Sequence, residues 1–448
     1  MANTTKYYPN KYAPSVCPLN MNSTIVNRAK SIISQAWGLS KIIHHNPGPN
    51  PVSFERKHLT QIESCIDEFV VTEKSDGVRY LLVLGTAPDG IGFALMVNRK
   101  MEMYEIPVYA HPDYFKGSVF DGELVNMTLP DKASSLPVIS SSPTGALAQN
   151  INNEPNSTTD ITQQIFLVFD TIHVKGESRR NVHFMSRYKE YTSVFDLGNK
   201  DILECGVANW DDIAYDLAKS HQKIVCLGNR MALQFRPKQF VNLVNLGSMW
   251  RSTMPNLRHK TDGLIIQKTT TEVGTGVDHS IMKWKQKNTV DLIVTAIYVK
   301  KTWNYQLSFQ HDQHVVLSTE REFIIREERE ERDKDKNHQQ QQPHDNNSNH
   351  TEEKKYRLEI KFNPILNFTA TYFGESHKSR FDLLGEFECE IDKNKQIVWC
   401  VLERWRTDKE TANNYPVIQK IIQNCHDNIT INELLNLTSK YIYRIGSN

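Results

Sequence analysis

The residues best placed to do chemistry are lysines, carboxylates and arginines at the ends of short apolar runs. In Val71-Thr-Glu-Lys-Ser-Asp-Gly-Val-Arg-Tyr80, a lysine stands between two apolar segments with Asp76-Gly77 after it. Read blandly this is a surface hairpin, since Lys, Asp and Gly are common turn residues. Read chemically, Lys74 is a nucleophile whose ammonium must first lose its proton, a loss that partial burial and nearby cations favour. Phe120-Asp-Gly-Glu-Leu124 sets Glu123 just after an Asp-Gly turn at a strand start, where a carboxylate can bind Mg²⁺ directly or through water. In Phe166-Leu-Val-Phe-Asp-Thr171, Phe169 and Asp170 are expected on opposite faces of a strand. Phe169 then either stacks on a base or joins the core.

Three further segments carry charge in ordered positions. His259-Lys-Thr-Asp-Gly-Leu-Ile-Ile266 again opens an apolar strand with an acidic residue and glycine. Met282-Lys-Trp-Lys-Gln-Lys287 puts Lys283 and Lys285 on one strand face with Trp284 on the other. Two such cations repel unless an anion lies between them, so a phosphate clamp is the better reading than a solvated face. Glu403-Arg-Trp-Arg-Thr-Asp-Lys409 packs Arg404, Arg406 and Lys409 behind an apolar strand, a spacing suited to bidentate phosphate contacts.

The elements that must position these groups are mostly strands. Apolar or β-branched runs occur at Glu68–Thr72, Val78–Leu84, Val119–Val125, Ile165–Val174, Gly263–Gln267 and Asp291–Val299. Helical periodicity is confined to Asn27–Ser40, Ser186–Phe195, Asp211–His221, Val417–Cys425 and Ile431–Tyr443. Strands and helices do not alternate, which argues for antiparallel α+β architecture over a doubly wound parallel sheet. From Asp291 to about Glu403 the pattern is almost all strand, as in a small Greek-key barrel. Two low-complexity stretches, about 134–162 and 326–355, lie between strand-like segments and are expected to be solvated insertions at hairpin tips.

Composition removes several classes. The 448 residues carry 53 basic and 52 acidic side chains, so a nucleic-acid partner must be met by a local basic groove and not by bulk charge. No apolar run is long enough to span a membrane and no secretory leader is evident. Seven scattered cysteines without CxxC spacing read as reduced thiols, not a disulfide frame or zinc site.

Taken in order, these segments resemble the covalent nucleotidyltransferase superfamily of capping enzymes and polynucleotide ligases, and within it the GTP:RNA guanylyltransferases of mRNA capping. The likeness runs from about Phe69 to Asn414. Any one motif is weak, but six in register make coincidence implausible. The resemblance implies an antiparallel-sheet nucleotidyltransferase domain followed by an OB-fold β-barrel domain. Its bounds are expected at 61–290 and 291–415, with an N-terminal extension (1–60) and a C-terminal helical segment (416–448). EKSDGVRY supplies Lys74 as nucleophile and Arg79 as a ribose contact, with Arg99 in VNRKMEMYE as a second. FDGEL supplies Glu123, LVFDT the base-stacking Phe169, FRPKQF Lys238 and TDGLIIQ Asp262. MKWKQKNTVDLIV supplies Lys283, Lys285 and Asp291, and RWRTDK supplies Arg406, Asp408 and Lys409.

The implied reaction has two steps. Lys74 takes GMP from GTP, and a 5′-diphosphate RNA end then takes GMP from Lys74 to give the GpppN cap. Mg²⁺ or Mn²⁺ at Glu123 is implied as cofactor, with Asp291 orienting Lys74 or a metal-bound water. Lys283 and Lys285 would stabilise the α-phosphate and favour the neutral amine of Lys74. Arg406 and Lys409 would reach the β- and γ-phosphates when the barrel domain closes. No HCxxGxxR loop occurs, so a separate RNA 5′-triphosphatase subunit is expected, together with the phosphorylated tail of RNA polymerase II as a partner and a nuclear location. An ATP-dependent ligase, or a catalytically silent RNA- or partner-binding subunit, is the alternative.

Overall fold

Strands Val78–Thr86 and Gly92–Asn98 are apolar at nearly every position because both of their faces are buried. Leu81, Val83, Leu95 and Val97 pack on one side against Val26, Ile33 and Trp37, from helix Thr24–Ala36 and its C-cap. Leu82, Leu84 and Met96 pack on the other against Tyr191, Val194 and Phe195 of helix Phe184–Phe195. Ser23 caps the first helix by accepting the Val26 N–H. The computed structural model describes residues 18–128, 162–197, 210–226, 233–312, 314–327, 352–361, 380–406 and 411–446.

The chain divides into two units. One comprises Met1–Val52, Thr60–Trp284 and Leu435–Asn448; the other comprises Ser53–Leu59 and Lys285–Leu434. The first unit holds two principal sheets. A seven-stranded sheet has the path Leu233–Pro237, Thr162–Val174, Ser118–Thr128, Val78–Thr86, Gly92–Asn98, Met103–Glu105, with Glu177–Ser178 beside Thr162–Val174. A five-stranded sheet runs Asn50–Ser53, Val277–Lys285, Thr261–Lys268, Phe69–Ser75, Val241–Asn242. Consecutive strands Phe69–Ser75 and Val78–Thr86 therefore belong to different sheets, and Asp76-Gly77 is a crossing between them, not a hairpin turn. Glycine is needed at 77, since a Cβ there would lie 2.4 Å from the Leu124 carbonyl oxygen.

The second unit is a curled seven-stranded sheet, a half-barrel of OB type. Its order is His314–Leu317, Thr302–His311, Thr289–Val299, Arg380–Asp392, Ile397–Trp405, Glu352–Lys361, Phe323–Glu327. Helix Tyr415–Asp427, capped by Asn414, seals the core with Ile418 and Ile422. The architecture is the expected α+β, predominantly antiparallel. Leu233–Pro237 pairs parallel with Thr162–Val174, and Glu352–Lys361 with Ile397–Trp405, which local patterning does not foretell. The low-complexity stretches fall almost wholly outside the described residues. The strands flanking each pair antiparallel, Thr128 opposite Thr162 and Glu327 opposite Glu352, as hairpin-tip insertions require.

Candidate active site

A cleft in the first unit is lined from both sheets: Thr72, Lys74, Ser75, Ile265, Gln267 and Ile281 from one, Arg79, Asp121, Glu123, Phe169 and Asp170 from the other. Arg99, Lys238 and Phe240 complete it, with Pro49 and Pro51 from the segment preceding the first motif. Lys74 lies inside a strand, its neighbours Glu73 and Ser75 buried. Its Nζ donates to both carboxylate oxygens of Asp262, at 2.7 and 2.8 Å. Asp262 reaches it because register slips between Thr261 and Gly263, which leaves Asp262 as a bulge residue beside Lys74. Gly263, at φ 154°, accommodates the irregular backbone.

Glu123 is not after a turn, as the Asp-Gly pair suggested. Asp121, Gly122 and Glu123 sit mid-strand in Ser118–Thr128, where Gly122 allows Phe166 and the Leu167 carbonyl to close in. Phe169 and Asp170 also depart from simple alternation, for both line the cleft. Asp121 pairs with Asp170 and Gly122 with Val168, so Phe169 is an extra, unpaired residue that turns the strand locally. Arg79 lies over the Phe169 ring, 5.7 Å from its centroid.

The cleft carboxylates have different fates. Asp121 takes Arg79 through Nε and Nη2, while Arg79 Nη1 donates to the Pro49 carbonyl at 2.8 Å. Burial alone would lower the Arg79 pKa, but the Asp121 carboxylate outweighs it and raises it. Asp170 holds the buried Arg187 of helix Phe184–Phe195 through Nε (2.7 Å) and Nη2 (2.9 Å). Glu73, behind Lys74, accepts from Thr72 Oγ1 at 2.7 Å, with Lys238 Nζ at 3.4 Å and His259 Nε2 at 3.5 Å. Burial pushes the Glu73 carboxyl up, yet Lys238, His259 and Thr72 together hold it down at about 2. Lys238 also donates to Ser75 Oγ at 2.8 Å. Glu123 differs: among the described residues its carboxylate has no hydrogen-bonded or ion-pair partner. Burial raises its pKa, against the pull of Lys238, Lys74, Arg99 and Arg79.

A divalent cation therefore fits here in one way. No cluster of three or more metal-ligating side chains occurs among the described residues. A single half-buried carboxylate, Glu123, with oxygens to spare suits Mg²⁺ that arrives with its own waters and substrate phosphates.

Six of the sequence-derived residues thus line one cleft (Lys74, Arg79, Arg99, Glu123, Phe169 and Lys238), and Asp262, named from sequence only as a nucleotide contact, binds one of them, Lys74. Lys283 and Lys285 are half-buried on strand Val277–Lys285 while Trp284 between them is buried, the alternation foreseen. Asp291 and Arg406 come together in the second unit, Nη1 to Oδ1 at 3.1 Å, with Glu386 at 3.6 Å from the same nitrogen. Arg404 also meets Glu386, at 2.6 Å. Asp408 and Lys409 lie outside the described residues. Sequence reading missed Glu73, Asp121, Asp170, Arg187, His259 and the Pro49–Pro51 wall. Of these, only the Pro-Gly-Pro-Asn-Pro run carried a local sign, that of a rigid turn.

A lysine and carboxylates in a cleft between two predominantly antiparallel sheets, followed in the chain by an OB-type half-barrel, define a nucleotidyltransferase of the ligase and capping enzyme kind. The chain belongs to the mRNA capping enzyme family: the catalytic domain of that family matches residues 15–137 and 151–287, and its C-terminal domain matches 287–435. With that family it is a guanylyltransferase. It is similar to the mRNA-capping enzyme subunit alpha of Neurospora crassa, 25% identical over 406 residues that cover 87% of this chain and 83% of that one. The subunit alpha of Schizosaccharomyces pombe is 22% identical over 406 residues, covering 87% and 79%. Among solved structures it is similar to mycobacterial DNA ligase D complexed with ATP and MES, at a TM-score of 0.34 and 10% identity over 82% of this chain and 96% of that one.

Proposed function

We propose that Lys74 attacks the α-phosphorus of GTP and expels pyrophosphate, leaving GMP joined to Nζ through a phosphoramidate bond. A terminal oxygen of a 5′-diphosphate RNA then attacks the same phosphorus, the P–N bond breaks, and the capped end leaves while Lys74 regains its proton. The observation that carries this reading is the contact of Lys74 with Asp262 at the cleft wall. Asp262 fixes the amine and is the base in contact when a proton must leave.

Phe169 would stack on the base, with Arg79 and Arg99 at the sugar. The enclosed volume, about 160 Å³, is below the roughly 300–1,000 Å³ of ordinary ligand sites. The base would therefore lie inside, and the phosphates at the open end. Glu123 would hold Mg²⁺ or Mn²⁺, which when bound neutralises charge on the phosphoryl oxygens. Lys238, Lys283 and Lys285 would add positive charge near the α-phosphate. Arg406 of the second unit would act on the β- and γ-phosphates in the first step, with Asp408 and Lys409. A separate RNA 5′-triphosphatase would supply the diphosphate end, the phosphorylated polymerase tail would recruit the enzyme, and the nucleus would be the setting.

The test is covalent labelling of the protein by GTP carrying label at the α-phosphate, beside Lys74→Ala. Label on the wild type alone supports the proposal, and equal label on both refutes Lys74 as the nucleophile.

A further inference from the structure

Next to the cleft, on the far side of the Pro47-Gly48-Pro49 wall, lies a second cavity of about 720 Å³. That is within the usual span of ligand sites. It opens between the loop after helix Thr24–Ala36 and the loop before strand Val277–Lys285, and Lys41, His44, His45, Asn46, Asn50 and Thr275 line it. Two contacts pin the loops together: Trp37 Nε1 donates to the Gly274 carbonyl at 3.2 Å, and the Asn50 N–H to Gly276 at 2.6 Å. No acidic residue is among the lining. Asp278, close by in sequence, already accepts from the Ser280 N–H (2.8 Å) and hydroxyl (2.6 Å). Lys41, His44 and His45 are exposed, and the Asn46 Nδ2 amide is buried with no acceptor among the described residues.

The wall belongs to both sites. Gly48 packs so closely on Arg79 that a Cβ would stand 2.2 Å from Nη2, and the Pro49 carbonyl accepts from Arg79 Nη1. We propose that this cavity is an RNA subsite, which takes phosphodiester groups of the acceptor strand just downstream of its reacting 5′ end. The inference rests on the proposed reaction, because an RNA end at Lys74 must send the rest of its chain over some rim of the cleft. This rim is pinned by those two hydrogen bonds, free of carboxylates in its lining, and provided with lysine, imidazole and amide donors. Such donors suit phosphate oxygens, and their cation contributes to the salt dependence of binding.

The test compares two acceptors, a 5′-diphosphate 20-nucleotide RNA and a nucleoside 5′-diphosphate, on wild type and on the combined variant Lys41→Ala, His44→Ala, His45→Ala. The variant should raise the KM for the RNA about tenfold, the effect of one lost charge-assisted contact. The KM for the nucleoside diphosphate should stay as in the wild type. The slope of log KM against log salt should flatten by roughly 0.7 for each phosphate contact removed. Lys41→Glu alone should raise the RNA KM and leave the thermal unfolding midpoint in place. An RNA KM equal to the wild type, or an equal rise for both acceptors, overturns the subsite. Competition by polyglutamate as strong as by RNA overturns the choice of ligand, since it would mark a site for acidic peptides. Failure of the wild type to form any GTP adduct instead overturns the underlying reaction.

Discussion

Glu73 and Lys74 are adjacent on one strand and have opposite tasks. Lys74 faces the cleft with one carboxylate to hold it, whereas Glu73 faces inward and is held by Lys238, His259 and Thr72. Because the folded pKa of Glu73, about 2, lies below its ordinary value of 4.5, its charge stabilises the fold above about pH 4.5. That contribution fades as pH falls towards 2, and amounts to about 3 kcal/mol at full extent. Glu73→Gln should therefore lose less stability than the wild type between pH 4.5 and 2, as measured by urea unfolding at a series of pH values. A variant that loses as much as the wild type would contradict this role. Glu123 is the reverse case, a half-buried carboxylate whose pKa partial burial raises and which has no direct protein partner among the described residues. Glu123→Gln should raise the Mg²⁺ concentration needed for half-maximal adduct formation by tenfold or more. An unchanged Mg²⁺ requirement would remove Glu123 from the metal site.

At the scale of elements, bulges and crossings decide where side chains arrive. The apolar run before Lys74 was legible as a strand, but that strand runs on through Lys74 to Ser75, where Glu73, Lys74 and Ser75 carry no apolar signal; alternation correctly set Trp284 against Lys283 and Lys285. Alternation failed at Phe169 and Asp170, because a bulge depends on the register with a neighbouring strand, and register is not written in the strand itself. The Asp-Gly at 121–122 read as a turn by its local chemistry, yet it is mid-strand because Gly122 is needed for close packing by Phe166. Partners such as Arg187 for Asp170 and His259 for Glu73 stayed hidden for a similar reason, since each pair is made only by the fold. Gly122→Ala tests the packing argument. Its Cβ would stand 2.5 Å from the Phe166 ring and 2.7 Å from the Leu167 carbonyl. The variant should lose about 1–3 kcal/mol by chemical denaturation and bind nucleotide less well, as Asp121 and Glu123 shift with it. Unchanged stability would show that the strand relaxes freely there.

For the whole molecule, the proposed reaction draws on residues of both units. The first carries Lys74, its cleft and the adjoining cavity proposed to take RNA; the second carries Arg406, which holds Asp291 and lies near Glu386. If Arg406 serves the leaving pyrophosphate, Arg406→Ala should slow adduct formation from GTP at least tenfold. It should slow transfer from preformed adduct to RNA much less, a difference read by single-turnover assays of the two half-reactions. Equal losses in both would point to a structural role through Asp291. The most direct measurement of the central claim is labelling with GTP or ATP carrying label at the α-phosphate, in Mg²⁺, on the wild type and Lys74→Ala, followed by denaturing electrophoresis. A lysyl-GMP intermediate at Lys74 gives an acid-labile, alkali-stable label from GTP and not ATP, absent in the variant. Label from ATP, or label that survives in Lys74→Ala, would contradict it.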